Sequence, residues 1–351
     1  MPQTRAGHSV AIDLLKGVTT LFVILIHCKL VEGTFVHEHV IDHAVNLFLV
    51  LFGLTAELWW SRRDGGPVAA AWGDWYRARL LRLMPGIAAS AGLWWAVALT
   101  LRPEARRGLG WLDFIASLVG YSPWRGITWF VTLILLWVLV FPIVRWVAAR
   151  LGFVATIACA AYVSVLCIWD SLDIMAVAQH WIGRDADGGF YFGIFLPWSS
   201  WLVMCGWLLA RTTRGKVPAG ILGATVAAAL WAAAVAAIPA TRGPAEDVIG
   251  GALRVRILTT VADSPLALLL LYLMSLCEKW PRAIAPLVRL GGASWGVYLG
   301  QALLHDCVHM FGAWPETRGW PLRLAYGVFL LGGSLALTHA GAWLRTRWRT
   351  S

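Results

Sequence analysis

Long apolar segments, each about the length of a membrane-spanning helix, recur along the chain from Val10 to Leu344. A helix needs about 20 apolar residues to cross roughly 30 Å of hydrocarbon. Asp263 and Pro265 interrupt the eighth segment and make it the least regular. The pattern predicts an all-α, polytopic helical bundle with ten transmembrane helices, at approximately 10–30, 44–61, 85–101, 127–149, 151–169, 190–211, 219–239, 259–277, 290–313 and 321–345.

Composition narrows the class of protein further. Of the 351 residues, 59% are hydrophobic and 14% are charged, whereas soluble domains are roughly 45–50% apolar and about 25% charged. A soluble fold is therefore excluded. Because the apolar segments continue along nearly the whole chain, we expect residues 1–351 to form a single transmembrane domain with no appended soluble domain.

The net charge of +10 bears first on orientation, because Lys and Arg concentrate in the cytoplasmic connections of membrane proteins. With both termini in the cytoplasm, the inside connections carry many basic residues, and their acidic residues are Asp64, Asp74 and Glu278. The outside connections hold comparable numbers of both signs. This asymmetry predicts a multi-pass protein of the cell membrane with cytoplasmic termini, and the lipid bilayer rather than nucleic acid as its partner.

Residues 67–82 have the pattern of an amphipathic cytoplasmic helix that leads into the third segment. Its Trp72, Trp75 and Tyr76 fit the aromatic belt at a membrane–water interface. The same role is expected for many of the 23 tryptophans.

Three ionisable residues lie in or beside the first apolar segment, where such groups are costly and are functional candidates by default. Asp13 precedes Lys16 by three residues, a spacing that allows an ion pair on a helix. Lys16 and His27 are eleven residues apart, so they share a helix face and are separated by roughly 16 Å along the axis. A structural ion pair and a helix-end histidine are the plain alternative.

A basic cluster occupies the sequence RLLRLMP at 79–85. Arg79 and Arg82 are three residues apart and project from one side of a helix. Two guanidinium groups in this arrangement suit phosphate groups, which they bind through paired hydrogen bonds. The alternative is an ordinary basic flank that contacts lipid headgroups, and this is the interpretation that we favour for Arg77.

Five motifs in order give the chain a resemblance to the acyltransferase 3 family of integral membrane acyltransferases. The family's opening motif, a basic residue eleven positions before His, is matched by AIDLLKG at 11–17 followed by His27. The stretch VNLFLVLFG at 45–53 is similar to DLFFVLSG, and 79–85 matches RxxRLxP. Trp129 and Phe130 through Pro142 resemble the WFL…P span, and SWGVYL at 294–299 resembles SYGIYL.

The chain departs from the family pattern at four positions of these motifs. Lys16, Asn46, Phe52 and Gln301 stand where the family usually has Arg, Asp, Ser and His, respectively. His305 lies one turn after Gln301 on the same helix face, and it is a candidate to take the place of the family's histidine.

The resemblance implies transfer of an acyl group, most often acetyl, from cytoplasmic acyl-CoA to a hydroxyl of a glycan, a lipid-linked glycan or a small molecule. It places Arg79, Arg82 and Trp129 at the donor and His27 as general base, with Lys16 orienting CoA or stabilising the oxyanion. A covalent acyl-His intermediate is a second route. Tyr298, His305 and Asn46 are then candidate contacts of the acceptor, and no metal is expected. Association into a homodimer stays open.

Several other sequence patterns have more than one functional interpretation. A non-catalytic transporter or flippase would use Lys16, His27 and Glu57 as a proton relay, although Glu57 also suits a paired structural carboxylate. His305 and His309 have a spacing that can bind metal, but no complete zinc motif accompanies them. Cys28 and Cys307 are both expected near the outer face, and a disulfide between them is left open.

Overall fold

The computed structural model describes residues 9–63, 68–101, 111–118, 129–152, 154–162, 192–213, 221–241, 248–311, 313, 315 and 318–350. These residues are helical almost throughout, and no strand occurs among them. A π-helical turn, His37–Ile41, precedes the second helix, and 154–162 is also helical. The main helices are α1 Val10–Cys28, α2 Ala44–Ser61, α3 Val68–Leu101, α4 Trp111–Leu118, α5 Trp129–Leu151, α6 Phe192–Thr213, α7 Ile221–Thr241, α8 Val248–Cys277, α9 Pro281–Met310 and α10 Trp320–Thr350.

The predicted all-α class is confirmed for the described residues. Five helical segments are long and apolar enough to cross a membrane: Val10–Cys28, His37–Ser61, Ala70–Thr100, Phe130–Leu151 and Trp320–Trp343. They overlap the predicted spans 1, 2, 3, 4 and 10, and the second and third segments begin earlier than predicted. Helices α6 to α9 lie at the predicted positions of spans 6 to 9, and much of the fifth span falls outside the described residues. The count of ten and the cytoplasmic termini stay predictions.

Helix α3 differs from the sequence prediction of an amphipathic helix followed by a separate span. It runs without a break from Val68 to Leu101 and passes through Pro85. A proline removes one backbone hydrogen bond from a helix, but neighbouring helices make this tolerable in transmembrane segments. Arg79 and Arg82 therefore lie within one long helix that packs against α5 and α9.

The interfacial position predicted for Trp75 is wrong. Its side chain is completely buried, and its Nε1 donates a hydrogen bond to the carbonyl of Val138 at 2.8 Å. The rings of Trp60 and Phe141 stack on it at 5.9 and 5.6 Å between centroids. A buried tryptophan needs a hydrogen-bond acceptor for its N–H, and the α5 carbonyl supplies one. Trp75 is thus a core residue that ties α3 to α5.

Glycine contacts bring two pairs of helices to backbone distance. On α2 and α6, a Cβ added to Gly53 would meet the carbonyl of Val203, and one added to Gly206 would meet the carbonyl of Val50. Gly17 of α1 and Gly291 of α9 have the same reciprocal relation. Small residues allow such close approach in membrane bundles, where helix association depends on van der Waals packing. These contacts fix α1 and α9, which carry much of the site described below.

We expect Gly206→Ala to destabilise the protein, because the added methyl group would meet the backbone of α2 rather than a movable side chain. Overpacking of this kind typically costs about 1–3 kcal/mol. Gly92→Ala on α3 is the matched control, since nothing lies within 4 Å of its Cβ position. That control should gain up to about 1 kcal/mol from helix propensity. Thermal unfolding in nanodiscs measures the stability of both variants. Unfolding temperatures that shift in the same direction in Gly206→Ala and Gly92→Ala would contradict the packing argument.

Candidate active site

A cavity of about 420 Å³ lies among α1, α2, α3, α5 and α9. Four basic side chains line it, namely Lys16, Arg62, Arg79 and Arg82. Its aromatic lining comprises Phe48, Phe52, Trp59, Phe130, Trp295 and Tyr298. The cavity therefore combines cationic groups with an apolar wall. We call the four basic residues the cationic cluster.

Lys16 is held by the acidic residue that its spacing predicted. Its Nζ lies 3.4 Å from Oδ1 of Asp13, which confirms the i,i+3 ion pair. Both Arg79 and Arg82 are within electrostatic range of the ammonium group. Three cations of the cluster thus lie near one another, and this concentration of positive charge suits an anionic ligand.

Arg79 is fixed in position by its surroundings. Its Nη2 donates to the carbonyl of Thr55 at 3.4 Å, and its guanidinium lies 4.5 Å from the ring centroid of Trp75. The Nε atom is buried and has no hydrogen-bond partner among the residues that the structure describes. A buried guanidinium with an unused donor is prepared for an acceptor such as a phosphate oxygen.

Tyr298 lies in the same cavity as the predicted donor residues. Its ring contacts that of Phe130 at 5.3 Å and stacks on Trp295 at 6.0 Å. The sequence predicts Tyr298 as an acceptor contact, and the structure places it in the cavity that the cationic cluster lines. Trp129 begins α5, and its side chain lies outside what the structure describes.

Histidines from two helices meet near the C-terminal ends of α1 and α9. The ring centroids of His27 and His305 are 4.9 Å apart, and those of His305 and His309 are 3.9 Å apart. Nδ1 of His305 lies 2.6 Å from the hydroxyl of Tyr326 on α10. We call His27, His305, His309 and Tyr326 the histidine cluster. The structure thus brings the predicted base and His305 together.

Gln301, at the position of the family's usual histidine, is completely buried. Neither polar atom of its side chain has a hydrogen-bond partner in the described part of the chain. His305, one turn later, instead contacts His27. Cys28 and Cys307 are both free thiols. Among the described residues, no group of three or more His, Cys, Asp or Glu side chains is arranged to hold a metal ion.

Asn46 is engaged in a buried network at the start of α2. Its Nδ2 donates to Oδ2 of Asp263 on α8 at 2.5 Å, and Nδ1 of His43 lies 2.6 Å from Oδ1 of the same carboxylate. Nε2 of His43 lies 3.2 Å from the carbonyl of Glu38. Asp263, which interrupted the eighth apolar segment, therefore joins α8 to α2. The amide of Asn46, which the sequence predicts as an acceptor contact, takes part in this link between the two helices.

Glu57 has partners of its own. Its Oε2 accepts a hydrogen bond from Nε of Arg145 at 3.1 Å, and its Oε1 lies 4.0 Å from Nε of Arg211. These ion pairs join α2 to α5 and α6. The arrangement matches the expected structural carboxylate, and it gives Glu57 no contact with Lys16 or His27 among the described interactions.

The cationic and histidine clusters lie toward opposite ends of α1. Lys16 and His27 are separated by roughly 16 Å along the axis. Among described residues, those that line the cavity include Lys16, Arg79, Arg82 and Tyr298 but not His27. One end of the site thus offers fixed positive charge, and the other offers imidazole groups that can accept and release protons.

The family model described as an acyltransferase domain, of acyltransferase 3 type, matches residues 9–339. The chain belongs to this family. The match covers nearly the whole chain and includes both clusters, so the resemblance indicated by the five motifs is confirmed. No curated protein and no solved structure matches the chain. Family membership and the apolar helices together show a membrane acyltransferase.

Sequence reasoning missed two groups of residues in this acyltransferase. Tyr326 carries no motif, and nothing local indicates that α10 brings it to His305. Asp263 and His43 did carry a signal, because a carboxylate inside an apolar helix usually has a partner. The identity of that partner depends on how α8 packs against α2, which spacing along the chain does not give.

Proposed function

We propose that this protein transfers an acyl group, acetyl in the simplest case, from acyl-CoA to a hydroxyl of a glycan, lipid-linked glycan or small-molecule acceptor. The observation that carries the proposal is the cavity in which Lys16, Arg79 and Arg82 converge from two helices. Acyl-CoA is the family's expected donor, and its phosphates are the anions that such a cluster would bind.

The donor is bound at the cationic cluster with its pantetheine arm extending toward His27. Arg79 and Arg82 bind phosphate, and the aromatic lining of the cavity packs against the apolar parts of the arm. Lys16 lies too far from His27 along α1 to contact the same reacting carbonyl. Its role is therefore to bind the donor, rather than to stabilise the oxyanion.

His27 acts as the general base. The acceptor hydroxyl oxygen attacks the thioester carbonyl carbon, the C–S bond breaks, and CoA leaves as a thiolate. His27 takes the hydroxyl proton and returns it to the sulfur, so the enzyme ends unchanged. An imidazole is suited to this exchange because it gains and loses a proton near neutral pH.

The orientation follows from the donor. Acyl-CoA is a cytoplasmic metabolite, so the cationic cluster faces the cytoplasm and the histidine cluster faces the far side of the membrane. This agrees with the excess of basic residues in the connections on the side of the termini. The acceptor then reaches His27 from the outer side or from within the membrane.

Release of free thiol from acetyl-CoA, measured for the protein in lipid nanodiscs with a panel of hydroxyl acceptors, tests the proposal. We expect thiol release that depends on both protein and acceptor, with the acyl group recovered on the acceptor by mass spectrometry. If neither acetyl-CoA nor longer acyl-CoAs bind or turn over, the proposal is wrong. The transporter alternative then takes its place.

A further inference from the structure

The contact between His305 and Tyr326 raises the question of which histidine in the cluster holds a proton. Tyr326 is 5% exposed, and its hydroxyl lies 2.6 Å from Nδ1 of His305. The ring of His305 in turn lies 4.9 Å from that of His27. A chain of contacts therefore runs from α10 through α9 to the proposed base on α1.

The first turns of α10 are fixed against the end of α1. Nη1 of Arg323 donates to the carbonyl of Lys29 at 2.7 Å, and Lys29 is the left-handed residue that ends α1. Gly327 lies against Cys28, whose Sγ is 3.3 Å from the position of an added Cβ. Because these contacts flank Tyr326, the position of its hydroxyl relative to His27 is set by the packing of two helices.

Two imidazole rings in contact compete for protons. A positive charge on His305 would oppose protonation of His27, since like charges at this distance repel strongly in a protein interior. Among the described residues, the titratable groups that contact His305 or act on its charge are His27 from α1, His309 from its own helix and Tyr326 from α10. Helix α3 packs Trp94 and Trp95 against the same stretch of α9.

We propose that Tyr326 is a positioning residue that keeps His305 neutral, so that His27 alone accepts the proton of the acceptor hydroxyl. This inference rests on the proposed function of His27. The phenol donates its proton to the lone pair of Nδ1 in His305, because a phenol is the better donor and an imidazole nitrogen the better acceptor. The single proton of His305 then resides on Nε2, and the hydrogen bond at Nδ1 favours the neutral ring over the imidazolium.

Tyr326→Phe tests the proposal because it removes the hydroxyl and keeps the ring. Freed of its donor, Nδ1 of His305 accepts a proton at a higher pH than His27 does, and the charged His305 then prevents His27 from taking the hydroxyl proton. Activity is therefore lost at a higher pH than in the wild type. We expect the acidic midpoint of the pH profile of kcat/KM to move up by about one pH unit, with turnover close to wild type on the alkaline side. Tyr162→Phe, at a side chain that is 65% exposed, is the matched control.

The double variant Tyr326→Phe with His305→Gln separates this role from a structural one. Glutamine cannot take a proton, so the acidic midpoint should return to the wild-type value whatever the maximal rate. A uniform loss of activity at every pH in Tyr326→Phe, or a midpoint that stays shifted in the double variant, would overturn the proposal.

A measurement that needs no turnover keeps this inference distinct from the proposed function. Solid-state NMR of ¹⁵N-histidine-labelled protein in nanodiscs reports the protonation of His305, identified by its loss in His305→Gln. We expect the neutral Nε2–H form in the wild type at pH 6 and the imidazolium form in Tyr326→Phe. A protonated His305 in the wild type would refute the inference even if acyl transfer is confirmed.

Discussion

His27→Ala is expected to reduce acceptor-dependent release of thiol from acyl-CoA by about 10²- to 10⁴-fold, the usual contribution of general acid–base catalysis. The donor should still bind with unchanged affinity, because His27 is not among the described residues that line the cavity with the cationic cluster. The expected result is therefore a loss in kcat at nearly constant KM for the donor. Steady-state kinetics in nanodiscs and calorimetric titration with acetyl-CoA measure the two quantities separately.

The control for this variant is His339→Ala, because His339 is an exposed histidine on α10. It should retain wild-type kinetics, which would tie the effect to His27 rather than to loss of any imidazole. Retention of more than about a tenth of wild-type turnover in His27→Ala would exclude His27 as the main base. His305, whose ring lies against it, would then be the next candidate.

Sequence spacing predicted those parts of the site that depend on a single helix. The pair of Asp13 and Lys16 follows from a three-residue separation, and the structure confirms it. Arg79 and Arg82 also share one helix, and the structure places both in the cavity beside Lys16. The number of residues between two positions of a helix fixes the distance between their side chains and the face on which they lie. Such pairs therefore do not depend on how the neighbouring helices are arranged.

Contacts between helices could not be predicted from the spacing of residues along one helix. The approach of His305 to His27 depends on the register between α9 and α1, which the backbone contact of Gly17 and Gly291 determines. The pairing of Asp263 with His43 likewise depends on how α8 packs on α2. An apolar pattern indicates that a helix is buried in membrane or protein, but it does not indicate which neighbouring helix each turn contacts.

Trp75 shows where composition misleads. Tryptophan is enriched at membrane interfaces, and its neighbours Trp72 and Tyr76 suggested a belt. In the structure the indole is buried because a backbone carbonyl of α5 accepts its N–H and Arg79 lies over its ring. A residue that seemed to mark the membrane surface instead supports Arg79 in the cavity.

Arg79→Met is expected to raise the KM for acyl-CoA by about 10- to 100-fold, because a hydrogen bond to a charged group contributes roughly 1.5–3 kcal/mol. Methionine keeps an apolar contact with Trp75, and it removes a buried donor that has no partner among the described residues. The unfolding temperature without donor should therefore change little, since relief of desolvation offsets the lost contacts. Thermal stabilisation by acyl-CoA should disappear at concentrations that saturate the wild type.

Two further variants of α3 show whether this effect belongs to the site. Arg77→Met removes an exposed charge two residues earlier on the same helix, and its donor KM should stay near the wild-type value. Arg79→Lys keeps the positive charge but loses the planar fork that binds two phosphate oxygens at once, so its KM should lie between those of the wild type and Arg79→Met. Equal losses in Arg77→Met and Arg79→Met would mean that the basic face of α3 attracts the donor only through its overall charge. A loss confined to position 79 instead places the phosphate groups at the guanidinium that Trp75 and Thr55 hold in the cavity.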